Sequence, residues 1–177
     1  STLTWLNGFK NSEIFARLHK EYLSMKDYKK LWADSPFAPI FVTCDALVIY
    51  RDSLLLIQRK HFPGEGLKAM PGGFIEADEK VIDGIIRELY EETQIDVPKD
   101  ELLSSLKEVK VFDDPKRSTR GRIITHVGLF IIDRPNAPFV KGGDDAKSAD
   151  WILISDFLNQ AEQIFSDHYH ICINFCL

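Results

Sequence analysis

The sequence of 177 residues predicts an α+β fold, arranged as an α/β/α sandwich. Short runs of β-branched and apolar residues, typical of strands, alternate with stretches in which apolar residues recur at the three- and four-residue spacing of a helix. Residues 41–50 and 54–58 are two predicted strands, and the short turn between them indicates an antiparallel hairpin. Such strands need helices on their faces to bury their apolar side chains, and the remaining patterns supply those helices.

The composition is that of an ordinary globular protein, with 45% hydrophobic and 28% charged residues. No apolar run reaches the ~20 residues that a membrane-spanning helix needs. The first residues also lack the basic and then apolar pattern of a signal peptide. Three cysteines, an odd number, indicate reduced thiols rather than a disulfide framework. We therefore expect a soluble cytoplasmic protein that does not associate with membranes.

The formal net charge of the chain is -5. An acidic balance disfavours broad electrostatic binding to nucleic acid or to anionic lipid, because both need a basic surface. We therefore expect no nucleic-acid partner. If the substrate is phosphorylated, its charge has to be met locally, by metal ions or by a few well-placed arginines.

A predicted helix over residues 11–33 opens the chain, and a proline-containing break follows at residues 35–39. The apolar residues on one side of this helix are Ile14, Leu18, Tyr22, Tyr28, Leu31 and Trp32. We therefore divide the chain into an N-terminal helical extension, residues 1–38, and one main domain, residues 39–177. Within that domain the patterns also predict a helix over 77–93, strands over 106–112, 122–132 and 151–154, and two C-terminal helices, the second capped near 166–167.

The predicted helix over residues 77–93 has an acidic face. Glu88, Glu91 and Glu92 share an arc of about 100° by helical geometry. An apolar stripe adjoins this arc and consists of Ile82, Ile85, Ile86 and Leu89. Like charges at this spacing repel, and a hard divalent cation such as Mg²⁺ or Mn²⁺, which prefers carboxylate oxygen, would relieve the repulsion. For three carboxylates alone, a solvated acidic face is the more common explanation.

The residues around the acidic face favour a metal site. Gly72 and Gly73 directly precede the predicted helix, and glycine lets the backbone approach a metal ion or a phosphate closely. Glu79 is expected in the first turn, where a carboxylate is favoured by the helix dipole and can cap free amides. Arg87 stands beside Glu88, where its guanidinium can hold a carboxylate in one rotamer.

The spacing of these residues resembles the Nudix box. The matching pattern is Gly73-x5-Glu79-x7-Arg87-Glu88-Leu89-x-Glu91-Glu92-x-Gln94-Ile95. The one departure is Gln94, because the family usually has glycine there to form a left-handed helix cap. Gln94 therefore predicts either backbone strain or a different helix ending, and it leaves the predicted metal ligands intact.

The resemblance implies a Nudix α/β/α sandwich with a mixed sheet, and a hydrolase. It implies that Mg²⁺ or Mn²⁺ is bound by Glu88, Glu91 and Glu92, with the backbone of Gly72 or Gly73 as a further ligand. Arg87 joins the three glutamates in the catalytic set. The implied reaction is attack of water on one phosphorus of a pyrophosphate, helped by metal ions that neutralise its oxygens.

Three stretches outside the box, residues 41–48, 112–125 and 142–151, resemble the ADP-ribose pyrophosphatase branch of the family. They are most similar to the Nudix half of bifunctional nicotinamide-mononucleotide adenylyltransferase/ADP-ribose pyrophosphatases. The resemblance implies ADP-ribose as the substrate and AMP and ribose 5-phosphate as products. The five histidines do not form the H-x-G-H motif of such adenylyltransferases, so this chain alone is not expected to make NAD. It is expected to be a single-domain relative or part of a longer chain with an adenylyltransferase domain, and a homodimer, as branch relatives often are.

The charged and aromatic residues outside the box suggest how substrate is held. We assign substrate binding to Arg59, Gly73, Arg122 and Asp145. An arginine can bind a phosphate through paired hydrogen bonds, and Arg117 and Arg120 lie in the same charged loop as Arg122. The alternative for that loop is a solvated segment whose arginines balance nearby aspartates. Adenine stacking on an aromatic ring is also expected, and the sequence leaves open Phe62, Phe74 and Phe112, each equally explained as a core residue.

Two questions stay open at the level of sequence. The general base is either a box residue, Glu88 or Glu91, or one of two aspartates, Asp144 or Asp145. These aspartates lie in the loop before the predicted strand 151–154, which we call the late loop. Gly142 and Gly143 directly precede them, and the flexibility of these glycines suits a closing lid. We favour the box. The rival functions are a regulator that senses ADP-ribose without cleaving it, and a hydrolase of another nucleoside diphosphate derivative. The intact glutamates and the absence of a recognisable winged-helix segment favour the hydrolase of ADP-ribose.

Overall fold

The computed structural model describes residues 13–30 and 33–175, except for the side chain of Tyr28. The helices are α1 (Glu13–Lys30), α2 (Val81–Thr93), α3 (Lys99–Ser105), α4 (Ile154–Leu158) and α5 (His168–Asn174), with a 3-10 turn at Ala161–Gln163. The strands are β1 (Ile40–Tyr50), β2 (Ser53–Arg59), β3 (Lys68–Ala69), β4 (Gly72–Phe74), β5 (Leu106–Phe112), β6 (Arg122–Ile132) and β7 (Ala146–Leu153). In these ranges no helix combines the length and the apolar character needed to cross a bilayer.

The described strands form one mixed sheet with β1 near its centre. β1 runs parallel to β6 along its whole length, and β6 pairs with β5 in the antiparallel sense. The predicted hairpin is confirmed: β1 and β2 pair antiparallel next to their turn, and β2 then pairs with β7 and β3. The mixed sheet with helices that the sequence predicted is thus confirmed.

A second pairing of β1 positions the glycines of the box. Farther from the hairpin turn, residues 43–45 of β1 pair antiparallel with β4, and Asp45 lies opposite Gly72. The chain then enters α2, which packs against β1 and β4. The glycine pair and the acidic helix face are therefore brought together by strand pairing rather than by sequence proximity alone.

Apolar side chains fill both faces of the sheet. On one face α2, the helix that carries the Nudix-box residues and is called the box helix below, buries Ile85 and Leu89 completely, which confirms the predicted apolar stripe. On the other face α4 and α5 cover a second cluster that includes Phe157 and Ile171. Burial of one such side chain contributes roughly 1.5–3 kcal/mol. Two apolar layers of this kind hold the sheet between helices, as an α/β/α sandwich requires.

The box helix begins later than predicted, at Val81 rather than near residue 77. The reason lies in Glu79, whose Oε1 accepts a hydrogen bond from the backbone N–H of Glu76 and another from Arg87. Glu79 therefore stabilises the turn before the helix and does not lie in its first turn. Lys80 occupies the cap position and makes no side-chain capping bond, so the predicted capping role of Glu79 is wrong.

Two other predictions need adjustment, and two stay untested. β7 begins at Ala146 and not at residue 151, because antiparallel pairing with β2 extends to Arg59. α5 begins at His168 as expected, but Asp167 does not cap it with its side chain, since its carboxylate accepts hydrogen bonds from Arg117. On α1, Leu31 and Trp32 of the predicted apolar side lie outside the described residues. The division at residue 39 stays a prediction, and β1 begins beside it.

Gln94 keeps the left-handed conformation of a glycine cap. Its φ of 45° and ψ of 35° are in the αL region, and its backbone N–H donates to the carbonyl oxygen of Tyr90. The predicted backbone strain is therefore present, and the helix ending itself is the ordinary one. A residue with a β-carbon is strained there by about 1 kcal/mol relative to glycine.

We expect Gln94→Gly to raise the free energy of unfolding by up to about 1 kcal/mol, because glycine adopts this conformation without steric strain. Gln94→Ala is the matched control: it loses the weak side-chain contact of Nε2 with the carbonyl oxygen of Gly142, at 3.4 Å, and keeps the strain. Urea denaturation monitored by circular dichroism measures both variants. A Gln94→Gly protein less stable than Gln94→Ala would contradict the assignment of strain.

Candidate active site

One cavity of about 410 Å³ contains the acidic face of α2 and most of the residues predicted for the site. Its walls come from β1, β4 and α2 and from loops around residues 59–63, 117–120 and 144–145. The predicted residues that line it are Arg59, Gly72, Gly73, Arg87, Glu88, Glu91, Glu92 and Asp145. Two of the three candidate aromatic rings, those of Phe62 and Phe74, also line it, whereas Phe112 packs in the second apolar cluster.

Arg87 organises the carboxylates around the box. Its Nη1 donates to Glu88 Oε1 at 2.8 Å and to Glu91 Oε2 at 2.9 Å. Its Nε and Nη2 donate to the two carboxylate oxygens of Glu79 at 3.0 and 2.7 Å. The hydrogen bonds to Glu79 are the main reason that the pKa of Arg87 is raised, and they lower the pKa of Glu79 in return. One guanidinium therefore compensates three carboxylates, whereas the sequence predicted contact with a carboxylate without indicating that three would share it.

Glu92 is buried, with only 5% of its surface exposed, and is not among the hydrogen-bond partners of Arg87 in the described residues. Its Oε2 accepts a hydrogen bond of 2.9 Å from the backbone N–H of Gly72. Burial raises the pKa of its carboxyl to about 8, and the neighbouring charge of Glu88 adds to the shift. A carboxylate so placed requires a nearby positive charge if it is to be ionised at neutral pH.

Because Gly73 has no side chain, the carboxylate of Glu88 can lie directly against its backbone. A β-carbon at residue 73 would lie 2.4 Å from Glu88 Oε1, so no side chain fits without displacing that carboxylate. The pKa of Glu88 is raised by burial, against the lowering effect of Arg87. The need for glycine here is a close approach of the backbone to the Glu88 carboxylate, and the expected approach of the glycine pair to a metal ion or a phosphate stays a prediction.

The chemistry of this donor set fits a divalent cation, although the side chains are not yet gathered around one point. In residues 13–30 and 33–175, no three His, Cys, Asp or Glu side chains converge closely enough to hold a metal ion. Glu88 and Glu91 turn to Arg87, and Glu92 turns to the amide of Gly72. Carboxylate oxygens are nevertheless the donors that hard cations such as Mg²⁺ and Mn²⁺ prefer.

Arg59 supplies positive charge across the cavity. Its guanidinium lies over the ring of Phe165, 4.1 Å from the ring centroid, and its Nε donates to the carbonyl oxygen of Pro63 at 2.9 Å. Burial lowers its pKa, while the charge of Glu92 acts in the opposite direction. Among the described residues its two terminal nitrogens have no hydrogen-bond partner. They are therefore available to an anionic ligand in the cavity.

The other arginines differ in position. Arg117 lines the cavity, and its Nε and Nη2 donate to both carboxylate oxygens of Asp167 at 2.9 Å, so two of its three guanidinium nitrogens are already engaged within the protein. The guanidinium of Arg120 lies 5.4 Å from the ring centroid of Phe74 and lines the same wall. Arg122 lies at the start of β6, outside the lining of the cavity, and donates to the carbonyl oxygen of Asp113. Substrate contact by Arg122 is therefore not supported by its position.

The late loop contacts Lys60 on one side and the end of α2 on the other. The carbonyl oxygens of Asp144 and Asp145 accept from the side chain and the backbone N–H of Lys60, at 3.3 and 3.0 Å. Asp145 Oδ1 lies 3.6 Å from Nε2 of His61, and both side chains are mostly exposed. A β-carbon on Gly143 would lie 2.5 Å from the carbonyl oxygen of Glu91. Close packing against the end of α2 thus accounts for this glycine without invoking the flexibility of a lid.

Sequence reasoning missed the polar floor of the cavity. Asp45 on β1 is 6% exposed and accepts a short hydrogen bond from the hydroxyl of Thr125 on β6. His168 on α5 lies 3.9 Å away through Nε2, and its Nδ1 accepts from the backbone N–H of Met70 at 3.1 Å. Burial raises the pKa of Asp45 to about 6 and lowers that of His168 to about 3. The available signal was the carboxylate of Asp45 inside an otherwise apolar strand.

The fold and the acidic box define the class of this protein: the chain belongs to the Nudix family, and residues 41–172 match the model of the NUDIX domain. It is 34% identical over 155 residues to an ADP-ribose pyrophosphatase of Methanocaldococcus jannaschii, covering 88% of this chain and 82% of that protein. It is 30% identical over 115 residues to an ADPR responsive transcriptional repressor of Acinetobacter baylyi, covering 64% of this chain and 44% of the repressor.

A solved structure is similar over nearly the whole chain. It is a bifunctional NMN adenylyltransferase/ADP ribose pyrophosphatase from Francisella tularensis complexed with AMP and a Mn ion, with a TM-score of 0.94 and 43% identity. The match covers 99% of this chain and 52% of that one, so the chain spans about half of the bifunctional protein. The matched part includes α1, which precedes the residues that the family model covers.

Proposed function

We propose that this chain hydrolyses the diphosphate linkage of ADP-ribose to AMP and ribose 5-phosphate, with Mg²⁺ or Mn²⁺ as its cofactor. The observation that carries the proposal is one cavity that holds three box glutamates on one wall and the free guanidinium end of Arg59 on another. Nudix hydrolases use divalent metals, and two relatives with this activity in their names support the choice of substrate.

In the proposed reaction Glu88, Glu91 and Glu92 hold the cation, with the backbone of Gly72 or Gly73 nearby. The bound ion would neutralise phosphate oxygens and lower the pKa of the attacking water. Binding requires Glu88 and Glu91 to exchange part of their contact with Arg87 for contact with the ion. Arg87 then remains bonded to Glu79, which keeps its guanidinium beside the site.

The remaining steps are carried by residues around the diphosphate. Arg59 donates hydrogen bonds to a phosphate oxygen and so fixes the linkage in the cavity. A water oxygen forms a bond to one phosphorus, the bridging P–O bond breaks, and the water proton passes to a carboxylate of the box, Glu91 or Glu88. The phosphate that leaves carries away the bridging oxygen. AMP and ribose 5-phosphate result, and the atoms balance with one water consumed.

We expect the purified chain to convert ADP-ribose to equal amounts of AMP and ribose 5-phosphate when Mg²⁺ or Mn²⁺ is present. Chelation by EDTA should abolish turnover, and added metal should restore it, since the glutamates alone offer no positive charge to the reacting phosphate. Chromatography of the products over a panel with NADH, a dinucleoside polyphosphate and an oxidised nucleotide measures the preference. Rapid cleavage of another nucleotide with ADP-ribose left intact would refute the substrate.

A second candidate function is an ADP-ribose sensor that binds its ligand without cleaving it. The specific observation in its favour is the 30% identity to a transcriptional repressor responsive to ADPR. Tight binding of ADP-ribose without cleavage in the same experiment would favour the sensor. Two further expectations stay predictions: a homodimer, and a longer chain that adds an adenylyltransferase domain.

A further inference from the structure

The N-terminal helix α1 contacts the loop at one wall of the cavity, although it lies before the segment that the family model matches. Three side chains at the spacing of one helix face, those of Arg17, Lys20 and Glu21, each approach residues 61–67. The contacts are Arg17 Nη2 to the carbonyl oxygen of Glu65 at 3.5 Å, Lys20 Nζ to the ring centroid of Phe62 at 5.7 Å, and Glu21 Oε1 to the backbone N–H of Gly64 at 2.7 Å. The last is the shortest and is charge-assisted.

The loop that α1 contacts also surrounds Arg59. Besides the bond from Arg59 Nε to Pro63, the carbonyl oxygen of Arg59 accepts from the backbone N–H of Gly66 at 2.9 Å. The backbone N–H of Arg59 donates to the carbonyl oxygen of Leu67 at the same distance. The loop therefore closes on both the backbone and the side chain of this arginine, and its conformation decides where the guanidinium points.

Gly64, in the loop of residues 61–67, contacts both α1 and the ring of Phe165. It has a φ of 78°, and a β-carbon on it would lie 2.3 Å from Cδ2 of Phe165 and 3.3 Å from Nε of Arg59. The amide of this residue is the one that donates to Glu21. Holding that amide therefore holds the backbone against which Phe165 and Arg59 pack.

A second cavity, of about 250 Å³, adjoins the first on this side. Glu21 and Gly64 line it, and Pro63, Arg117, Ser118, Arg120, Phe165 and Ser166 line both cavities. Glu21 thus lines a cavity that shares six wall residues with the cavity of the box glutamates.

We infer that Glu21 is a positioning residue for substrate binding: through Gly64 it fixes the loop of residues 61–67, and the fixed loop presents the guanidinium of Arg59 to the diphosphate. The inference rests on the proposed function. A loop that is ordered before substrate arrives loses less conformational entropy on binding. Glu21 has no contact with the box, so the effect falls on substrate affinity and not on the chemical step.

The test compares Glu21→Ala with Glu21→Gln, whose amide oxygen can still accept from Gly64. We expect Glu21→Ala to raise the KM for ADP-ribose about tenfold, as expected for a lost hydrogen bond to a charged group, with kcat within about twofold. Glu21→Gln should recover most of the affinity. Glu13→Ala is the matched control, because Glu13 is an exposed glutamate of the same helix outside both cavities.

A second measurement separates the contact from catalysis. Hydrogen–deuterium exchange of peptides that span residues 61–67 should be faster in Glu21→Ala than in the wild type or in Glu13→Ala. Unchanged exchange would overturn the contact, and faster exchange with an unchanged KM would overturn its role in binding. If the wild type leaves ADP-ribose intact, the proposed function fails by itself. The dissociation constant of the panel nucleotide that it does bind then decides the inference, and an unchanged constant in Glu21→Ala overturns it.

Discussion

Glu92→Gln should lower turnover of ADP-ribose at least ~10²-fold, the lower end for loss of a catalytic polar group. Glutamine has the shape of glutamate, and its amide oxygen can still accept the bond from Gly72. What it lacks is the negative charge that a divalent cation requires. The loss should therefore appear in kcat and in metal affinity, measured by steady-state kinetics and by titration of Mn²⁺.

The burial of Glu92 adds an expectation for stability. Only 5% of the surface of Glu92 is exposed, so this carboxylate does not belong to a solvated acidic face. Its pKa in the fold is raised from 4.5 to about 8, so its ionisation costs stability as the pH rises through that interval. The metal-free Glu92→Gln protein should therefore melt at the same or a higher temperature than the metal-free wild type at pH 8.

Added metal should reverse the order of the two melting temperatures, so that the wild type melts higher than Glu92→Gln. The reason is that the cation stabilises only the protein that retains the carboxylate. Glu162→Gln offers a matched control, since Glu162 is exposed on the 3-10 turn and distant in sequence from the box. Near-normal turnover by Glu92→Gln would contradict the assignment of the metal site. A melting temperature that drops sharply without metal would instead make Glu92 a structural residue.

The second large effect concerns the general base. We expect Glu91→Gln or Glu88→Gln, assayed at saturating metal, to lose ~10²–10⁴-fold in kcat, as is usual when a general base is removed. Asp144→Asn and Asp145→Asn should lose less than about tenfold. The late loop meets Lys60 through backbone carbonyl oxygens, and the carboxylate of Asp145 makes only an exposed contact with His61, which contributes about 1 kcal/mol or less.

Metal affinity has to be measured for the same four variants, because Glu88 and Glu91 are also proposed as ligands. A variant that binds metal normally and yet loses activity identifies the base. If a large loss were confined to Asp145→Asn, with its metal affinity unchanged and the acidic limb of its pH profile abolished, the base would belong to the loop. The close packing of Gly143 against α2 would then serve to bring that loop near the substrate.

Local sequence patterns predicted the strands well where their own side chains decide the structure. The bounds of β5 and β6 agree with the prediction: apolar and β-branched residues continue along most of β6, and in β5 they are interspersed with two lysines and a glutamate. β7 was predicted too short, since residues 146–150 are small or charged and become a strand only through pairing with β2. Strand pairing with a distant partner leaves little trace in the local pattern.

In the candidate site, too, the residues on one helix could be predicted from the sequence and the contacts between distant segments could not. Helical spacing placed Glu88, Glu91 and Glu92 on one face and Arg87 beside them, because these residues share one helix. The partners that other site residues meet across the fold could not be predicted, since they come from distant segments. Phe165 under the guanidinium of Arg59 is one such partner, and the buried floor at Asp45 is another. A lone carboxylate in an apolar strand signals an unusual position without naming what it contacts.

The contact between Glu21 and Gly64 has a consequence for how related sequences diverge. Residues 13–30 lie outside the segment that Nudix proteins share, yet they hold a loop within it. Among relatives that retain α1, substitutions in the helix and in the loop should therefore co-vary. In relatives without α1, the residues of the loop should vary without this constraint. In a chimaera that joins the α1 of one relative to the Nudix domain of another, we expect the proposed metal site to be kept and the arginine proposed to bind the substrate to be misplaced.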